Sequence, residues 1–261
     1  MDIIVCIKQV IAGDQVRFNS RTHTLVRTAE GSRINPFDLC SLEMAVRLKK
    51  EAGGSITAMT MGPKISEEVL WEALAVGADR AVLLSDPRFA GSDTLATSYV
   101  LGMGIRKVGR FDVILCGMRT ADSDTGQVGP QLAEELGIAS VSGVEKIERK
   151  GDLFRLERVS DGFREVIEVA PPVLCAVSTN SVVRLPSLTD IQDSFARTSI
   201  DSWNLKAIGA DPTKVGSEGS CTWVERLIPV TEQKTCVFID GDARQQARTL
   251  FSKLVVKDLI S

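Results

Sequence analysis

The feature that most constrains this chain is the alternation of strand-like and helix-like patterns from its start to about residue 180. Short runs rich in β-branched residues alternate with segments whose apolar residues recur at helical spacing. Parallel strands need long crossover connections, which are usually helices. The pattern therefore predicts an α/β fold: a mainly parallel, Rossmann-like sheet with helices on both faces.

The predicted elements follow from periodicity and from their end signals. Asn35-Pro36 is typical of a helix start, and the glycines at 53, 77 and 137 are typical of helix ends. Strands are expected at 2–11, 55–61, 81–84, 112–116, 140–147, 153–159, 164–169 and 173–177. Helices are expected from 35 to 53, from 66 to 77, over 94–108 and over 128–136, with a hairpin at 16–27.

The pattern changes after Thr179. Residues from 180 to about 229 show scattered apolar residues and turn signals without a clear period, and a final amphipathic helix is expected over 242–256. Such a segment has too little regular structure to cover its own apolar face. We therefore expect a nucleotide-binding domain at 1–180 and, at 181–261, a partner-docking segment and an extended C-terminal arm. The alternative is that the last helix folds back on the sheet domain.

Charge and cysteine content exclude several function classes. Lys plus Arg (31) against Asp plus Glu (34) leaves no basic excess, so we expect no nucleic-acid partner. No apolar run approaches the ~20 residues of a membrane-spanning helix, so no membrane insertion is expected. The N-terminus does not resemble a signal peptide. Six cysteines without metal-site spacing favour a reducing, cytoplasmic compartment, and the single His23 disfavours His-dependent catalysis.

The loop after the fourth expected strand, from Gly117 to Pro130, carries the most chemical information. In an open parallel sheet, ligands bind beyond the carboxyl ends of the strands. Glycines and small hydroxylated residues before a helix supply free N–H groups and the positive end of a helix dipole, which hold phosphate. The glycine spacing matches neither a P-loop nor the dinucleotide fingerprint.

Two interpretations of this loop stay open. In the first, Asp122 and Asp124 cap amides or bond ribose hydroxyls, while Thr125, Gln127 and Gly129 face a phosphate. In the second, the loop is a capped surface loop without a ligand. Residues 89–97 form a similar junction, which an N-cap alone also explains. Two such junctions on one sheet edge favour a dinucleotide over a mononucleotide.

Together, these residues resemble the beta (small) subunit of the electron-transfer flavoproteins. The resemblance extends over essentially the whole chain. It rests on these segments in this order: Cys6 to Val10, Asn35 to Asp38 with Glu43 and Ala45, Gly77 to Arg80, Asp122 to Pro130, and Arg184 to Leu188.

The resemblance implies an adenine-nucleotide-binding fold whose C-terminal extension wraps an alpha subunit. In simple electron carriers of this family, the beta subunit holds structural AMP. In electron-bifurcating members it holds FAD, which takes electrons from NADH and passes them to ferredoxin and to a flavin dehydrogenase. Residues 89–99 and 124–130 are more similar to the bifurcating group, although Ser123 and Gly126 replace its usual Gly and Ala.

The resemblance also implies which residues hold the cofactor, with no catalytic side chain and no metal. By carry-over from matching positions, Cys6, Asn35, Phe37, Asp38 and Met61 surround the adenosine end. The other implied cofactor residues are Asp93, Thr94, Thr97, Asp122, Asp124, Thr125, Gly126, Gln127, Val128 and Gly129. Residues 180–184 lack the Glu and Pro of the family's usual dehydrogenase-docking run, so the sequence does not identify the dehydrogenase.

Overall fold

A nine-stranded sheet forms the centre of the computed structural model, which describes residues 1–11, 17–19, 24–26, 32–178, 183–197, 199–225 and 236–260. The described strands are β1 (Asp2–Cys6), β2 (Gln9–Ile11), β3 (Arg17–Asn19), β4 (Thr24–Val26), β5 (Ser32–Ile34), β6 (Ser55–Met61), β7 (Arg80–Leu84), β8 (Val113–Gly117), β9 (Ala139–Lys150), β10 (Leu153–Ser160), β11 (Phe163–Val169), β12 (Val173–Val177) and β13 (Ile200–Trp203). The described helices are α1 (Pro36–Ala52), α2 (Glu67–Val76), α3 (Thr94–Val108), α4 (Val128–Leu136), α5 (Leu188–Arg197), α6 (Leu205–Ile208) and α7 (Ala243–Val256).

The strand order of the large sheet is β11-β10-β9-β12-β8-β1-β6-β7-β13. The strands from β9 to β13 in this order are parallel, and β10 and β11 add an antiparallel edge. The chain builds outward from β1 through β6 to β7, then crosses to β8 on the other side of β1. Strand order reverses at β1, which opens a crevice at the carboxyl ends of β1 and β8.

Buried apolar side chains cover both faces of the sheet. Leu42 and Leu48 of α1 and Leu70 of α2 pack with Ile3 and Val5 on one face. On the other face, α3 and α4 pack against Ile4, Cys6, Ile114 and Cys116. Since the two faces of β1 alternate residue by residue, its continuous apolar run is explained by burial on both sides. The predicted α/β fold class is confirmed.

Some element boundaries differ from the sequence-based predictions. The strand expected at 2–11 is two strands, because the chain leaves the large sheet after Cys6 and β2 then pairs with β5. At the predicted hairpin 16–27, β3 and β4 pair antiparallel, while His23 lies outside the described residues. Residues 188–208, for which no period was identified, contain α5, β13 and α6.

The chain divides into two compact units, Met1–Val224 and Glu225–Ser261. The first unit extends past residue 180 and includes β13, which pairs with β7. No helix within the described residues combines the length and apolar character that crossing a membrane requires.

The second unit contains α7, which matches the helix expected over 242–256. Its N-cap residue Asp242 accepts from the N–H groups of Arg244 and Gln245, and the Gln245 side chain accepts from the Asp242 N–H, which completes a capping box. No α7 residue is buried, and Phe251 and Val256 are exposed. A 14-residue helix is marginal in water on its own.

Candidate nucleotide-binding site

Asp38, in the first turn of α1, joins the ends of the two central strands at the crevice. Its Oδ2 accepts from the backbone N–H of Lys8 at 2.8 Å, and its Oδ1 accepts from that of Gly117 at 2.9 Å. Asp38 is only 4% exposed. Burial raises its pKa to about 7, although hydrogen bonds from Asn35, Lys8 and Gly117 act in the opposite direction. Asp38 therefore sets the spacing of the crevice walls.

Asn35, the residue before α1, fixes the loop that follows β8. It is fully buried; its Nδ2 donates to the carbonyl oxygen of Arg119 at 2.9 Å, and its Oδ1 accepts from the N–H of Ala121 at 3.1 Å. The Asn35 N–H donates to the Lys8 carbonyl oxygen. Asn35 thus holds the segment after β1 through its backbone and the loop after β8 through its side chain.

Lys8 and Asp122 close the same loop from the opposite side. The Lys8 Nζ lies 2.8 Å from Asp122 Oδ1, and Asp122 is half-buried with little of its side chain exposed. Partial burial acts to raise the pKa of Asp122, but the Lys8 charge and several hydrogen bonds outweigh it and hold the pKa below its usual range. The Arg119 guanidinium lies over the Phe37 ring at 5.1 Å and within 3.4 Å of Asp124.

The N-terminus of α4 is the part of the site that is open to a ligand. Its N-cap residue, Gln127, makes no capping side-chain hydrogen bond. Gln127 and the four residues before it, 123–126, are exposed, and Gly126 adopts a φ of +66°. Uncapped first-turn amides and the helix dipole together favour an anion at this position.

Gly129 allows α4 to pack closely on the sheet. It is buried, and a Cβ at this position would lie 3.0 Å from Cys116 Sγ and 3.5 Å from Leu174 Cδ2. The missing side chain therefore lets α4 pack closely on β8 and β12. Its backbone N–H still belongs to the first turn of α4.

The second junction, at the start of α3, is already capped. Asp93 Oδ1 accepts from the N–H of Ala96, and Asp93 Oδ2 accepts from residues 221 and 222. The Thr94 hydroxyl donates to Gln127 Oε1 at 2.9 Å and so links the starts of α3 and α4. Thr97 lies one turn further along α3 and is half-buried. Asp93 therefore links the start of α3 to residues 221 and 222.

The structure brings most of the expected residues to one edge of the sheet. Cys6 and Met61 end neighbouring strands, and burial raises the pKa of the Cys6 thiol to about 12. The side chains of Asn35, Asp38 and Asp122 bond to other groups of the protein, namely Arg119, Gly117 and Lys8. They therefore fix the conformation of the loop after β8. The surfaces that remain for a ligand come from Phe37, Met61, Thr125, Gly126, Gln127, Val128 and the amide of Gly129.

Sequence reasoning missed the structural roles of Lys8 and Gly117. A Cβ on Gly117 would lie 2.4 Å from Asp38 Oδ1 and 2.6 Å from Phe37 Cβ, so α1 approaches β8 only because this residue is glycine. Gly117 is the last residue of β8, a position where parallel sheets place ligands, whereas Lys8 falls in the middle of the strand expected at 2–11, so no local signal marks it.

Comparisons with known proteins identify the family. The model of the electron transfer flavoprotein domain matches residues 22–200. The chain is 37% identical to electron transfer flavoprotein subunit beta of Thermoanaerobacterium thermosaccharolyticum over the full length of both chains. It is 39% identical to the subunit of the same name in Clostridium acetobutylicum, over 97% of this chain and 98% of that one. It is 40% identical to Protein FixA of Sinorhizobium fredii, over 92% of this chain and 87% of that one. Since the family match covers more than half of the chain and the relatives are similar over most of their length, the chain belongs to the electron transfer flavoprotein family, among its beta subunits.

Proposed function

We propose that this chain binds FAD in the crevice between β1 and β8. As the beta subunit, it joins an alpha subunit, and the pair passes electrons from NADH to ferredoxin and to a partner flavin dehydrogenase. The observation that carries the nucleotide site is the uncapped N-terminus of α4, reached through an exposed loop that Asn35 and Asp38 hold in place.

The crevice residues fit a nucleotide that carries phosphate. The first-turn amides of α4 supply donors for a phosphate group, and the half-buried Phe37 and Met61 supply apolar surface for an adenine ring. The negative charges of Asp122 and Asp124 are offset by neighbouring cations, because Lys8 pairs with Asp122 and Arg119 pairs with Asp124. The site therefore accommodates a negative charge beside two carboxylates.

The redox chemistry belongs to the cofactor, since bound FAD supplies hydride acceptance and one-electron transfer. The chain contributes binding, orientation and exclusion of water. Burial raises the pKa values of Cys6 and Cys116 well above neutrality, so both thiols stay protonated under the crevice. We therefore assign no nucleophilic role to these two thiols.

A specific observation favours AMP as the second candidate. Both oxygens of Asp93 are engaged within the protein, and the Thr94 hydroxyl donates to Gln127. The start of α3 thus offers fewer free groups than the start of α4 for the part of FAD that AMP lacks. In this alternative, the chain is a carrier subunit that holds AMP as a structural ligand.

Two exposed apolar surfaces suit the proposed partners. Leu185 and Leu188 are each 86% exposed, beside Arg184, whose guanidinium lies 3.6 Å from the buried Glu43 carboxylate. We assign this segment to the dehydrogenase and α7, with its exposed Leu250 and Phe251, to the alpha subunit. Free cysteines throughout the described residues suit a reducing compartment, and we place the complex in the cytoplasm.

A charge placed at Thr125 tests the nucleotide site. Thr125 is exposed just before α4, so Thr125→Glu puts a carboxylate where a phosphate would bind. A carboxylate near the N-terminus of a helix is stabilised by the helix dipole by about 0.3–1 kcal/mol, so folding is preserved. We expect the Glu variant to bind adenine nucleotide at least about tenfold more weakly, by titration calorimetry, because like charges repel. The uncharged Thr125→Gln is the matched control. Equal affinity in both variants would show that the start of α4 does not hold phosphate.

A further inference from the structure

Two loops that are far apart in sequence press against each other beside α3. A Cβ on Gly216 would lie 2.1 Å from the carbonyl oxygen of Arg88, and one on Gly91 would lie 2.2 Å from Ser217 Oγ. Both glycines have positive φ angles, of +61° and +78°. We call the contact between residues 91–93 and residues 216–222 the exit clasp, because the first compact unit ends two residues later, at Val224.

The centre of the exit clasp is the Asp93 carboxylate. One oxygen, Oδ1, accepts from the N–H of Ala96 at 3.0 Å and caps α3. The other oxygen, Oδ2, accepts from the N–H groups of Cys221 and Thr222 at 2.9 and 3.0 Å, and from the Thr222 hydroxyl at 3.0 Å. One side chain therefore binds the first turn of α3 and a segment more than 120 residues away.

Serine side chains extend the contact on both sides of Asp93. The Asp93 N–H donates to Ser220 Oγ at 2.8 Å, and Ser220 Oγ donates to the carbonyl oxygen of Gly216 at 2.7 Å. The Gly216 N–H donates to Ser92 Oγ at 3.0 Å. The contact is thus a network of hydrogen bonds whose ionised acceptor is Asp93, which makes its bonds the strongest of the set.

Helix capping alone does not account for this arrangement. Another N-cap residue of this unit, Asp86, likewise accepts from a distant N–H, that of Leu205 at 3.1 Å. Two others, Asn204 and Asp211, accept only from residues two or three positions ahead. Asp93 does the same with Oδ1 and uses Oδ2 for the distant segment. Burial acts to raise the pKa of Asp93, but the hydrogen bonds from Ala96, Thr222 and Cys221 outweigh it and lower the pKa. The carboxylate is therefore ionised at neutral pH, as the clasp requires.

We propose that Asp93 is a positioning residue that anchors the chain's exit towards the C-terminal unit to the first turn of α3. Anchoring the exit limits the directions that Glu225 and the following chain can take, and so lowers the entropy lost when the C-terminal unit docks. This consequence for assembly rests on the proposed docking of that unit on an alpha subunit. The anchor itself does not.

The substitution Asp93→Asn separates the two roles of the carboxylate. The amide oxygen still accepts from Ala96, whereas the amide nitrogen cannot accept from Cys221 or Thr222. In the full-length chain, we expect the amides of Cys221 and Thr222 to exchange hydrogen at least about tenfold faster, because they lose a charged acceptor. The Ala96 amide keeps its wild-type protection. Asp211→Asn, the same change at a cap outside the exit clasp, alters neither.

Thr222→Val supplies an independent check. It removes one donor to Asp93 without touching α3, so it speeds exchange at residues 221 and 222 in the wild-type background and adds little to Asp93→Asn. Simple additivity of the two changes would overturn the anchor. So would unchanged exchange at Cys221 and Thr222 in Asp93→Asn, or equal loss of protection at Ala96.

Heterodimer dissociation measures the consequence for assembly. We expect Asp93→Asn to shorten the half-life of the complex with the alpha subunit several-fold, while Asp211→Asn leaves it unchanged. A selective increase in exchange with an unchanged half-life would overturn the assembly consequence. A wild-type chain that binds no alpha subunit would refute the proposed function instead, and the exchange data would still decide the anchor.

Discussion

Replacing Asp38 with asparagine tests the electrostatic account of the crevice. Asp38 accepts from two backbone N–H groups, and asparagine offers one acceptor oxygen, so the Lys8 or the Gly117 N–H loses its partner. A buried N–H without an acceptor costs about 1–3 kcal/mol. The asparagine side chain does not titrate, whereas the Asp38 carboxyl does. The difference in stability between the variant and the wild type therefore depends on pH.

The sign of that dependence follows from burial. The pKa of Asp38 rises from 3.8 to about 7 in the folded chain, so the folded state keeps a proton that the unfolded state releases near pH 4. The stability that this proton contributes is fully present below about pH 4 and is lost as the pH rises through about 7. Between pH 5 and pH 8, the wild type should lose about 3 kcal/mol relative to the asparagine variant.

Urea unfolding of both full-length chains at several pH values measures this difference. Cys6 and Cys116 do not titrate in the interval, because burial raises their pKa values far above it. Glu72, whose pKa burial also raises, is present in both chains and cancels in the comparison. A difference that stays constant from pH 5 to pH 8 would refute the conclusion that Asp38 is protonated by burial.

Two further predictions concern the ligand and the partner. Changing Thr94 and Thr97 together to valine removes the hydroxyls near the start of α3, and the first of these donates to Gln127. FAD binding should weaken while AMP binding changes much less, by calorimetry; equal loss of both ligands would show that this junction serves only the shared AMP portion. A chain ending at Pro229 should keep a folded nucleotide-binding unit, because the first compact unit ends at Val224. It should no longer co-purify with the alpha subunit, since it lacks α7; a truncated chain that assembles at full affinity would contradict this assignment.

The sheet and the crevice at the carboxyl ends of its strands were predictable because the pattern of buried residues along the chain is periodic. Parallel strands buried on both faces appear as short apolar runs, and the loops at their carboxyl ends follow from topology. Asn35 and Asp38 were expected at the site on the basis of family resemblance. Their actual contacts, to Arg119, Ala121, Lys8 and Gly117, depend on three-dimensional approach that no local pattern encodes.

The C-terminal part of the first unit was predictable only in part. For α5 the signals were present: Leu188, Ile191 and Phe195 lie near helical spacing, and Ser187 and Asp190 form reciprocal hydrogen bonds at its start. Phe195 then stacks on Trp71 of α2 at 4.5 Å. The edge strand β13 is four residues long and joins β7 across more than 100 residues. An element that short has no period to detect.

Two of the expected ligand residues also contact other parts of the chain. The missing Cβ of Gly129 makes room for Cys116. Asp93 caps α3, and its second oxygen accepts from the N–H groups of Cys221 and Thr222. In both cases the decisive neighbour is distant in sequence, so spacing alone could not reveal it.

Nucleotide stoichiometry shows whether the crevice of this subunit binds FAD. The complex of this chain with its alpha subunit is purified without added cofactor, its nucleotides are released by denaturation, and FAD and AMP are quantified per heterodimer. We expect close to two FAD and no AMP per heterodimer. One FAD with one AMP would contradict it in favour of the structural-AMP alternative, and one FAD with no second nucleotide would contradict the crevice as a nucleotide site.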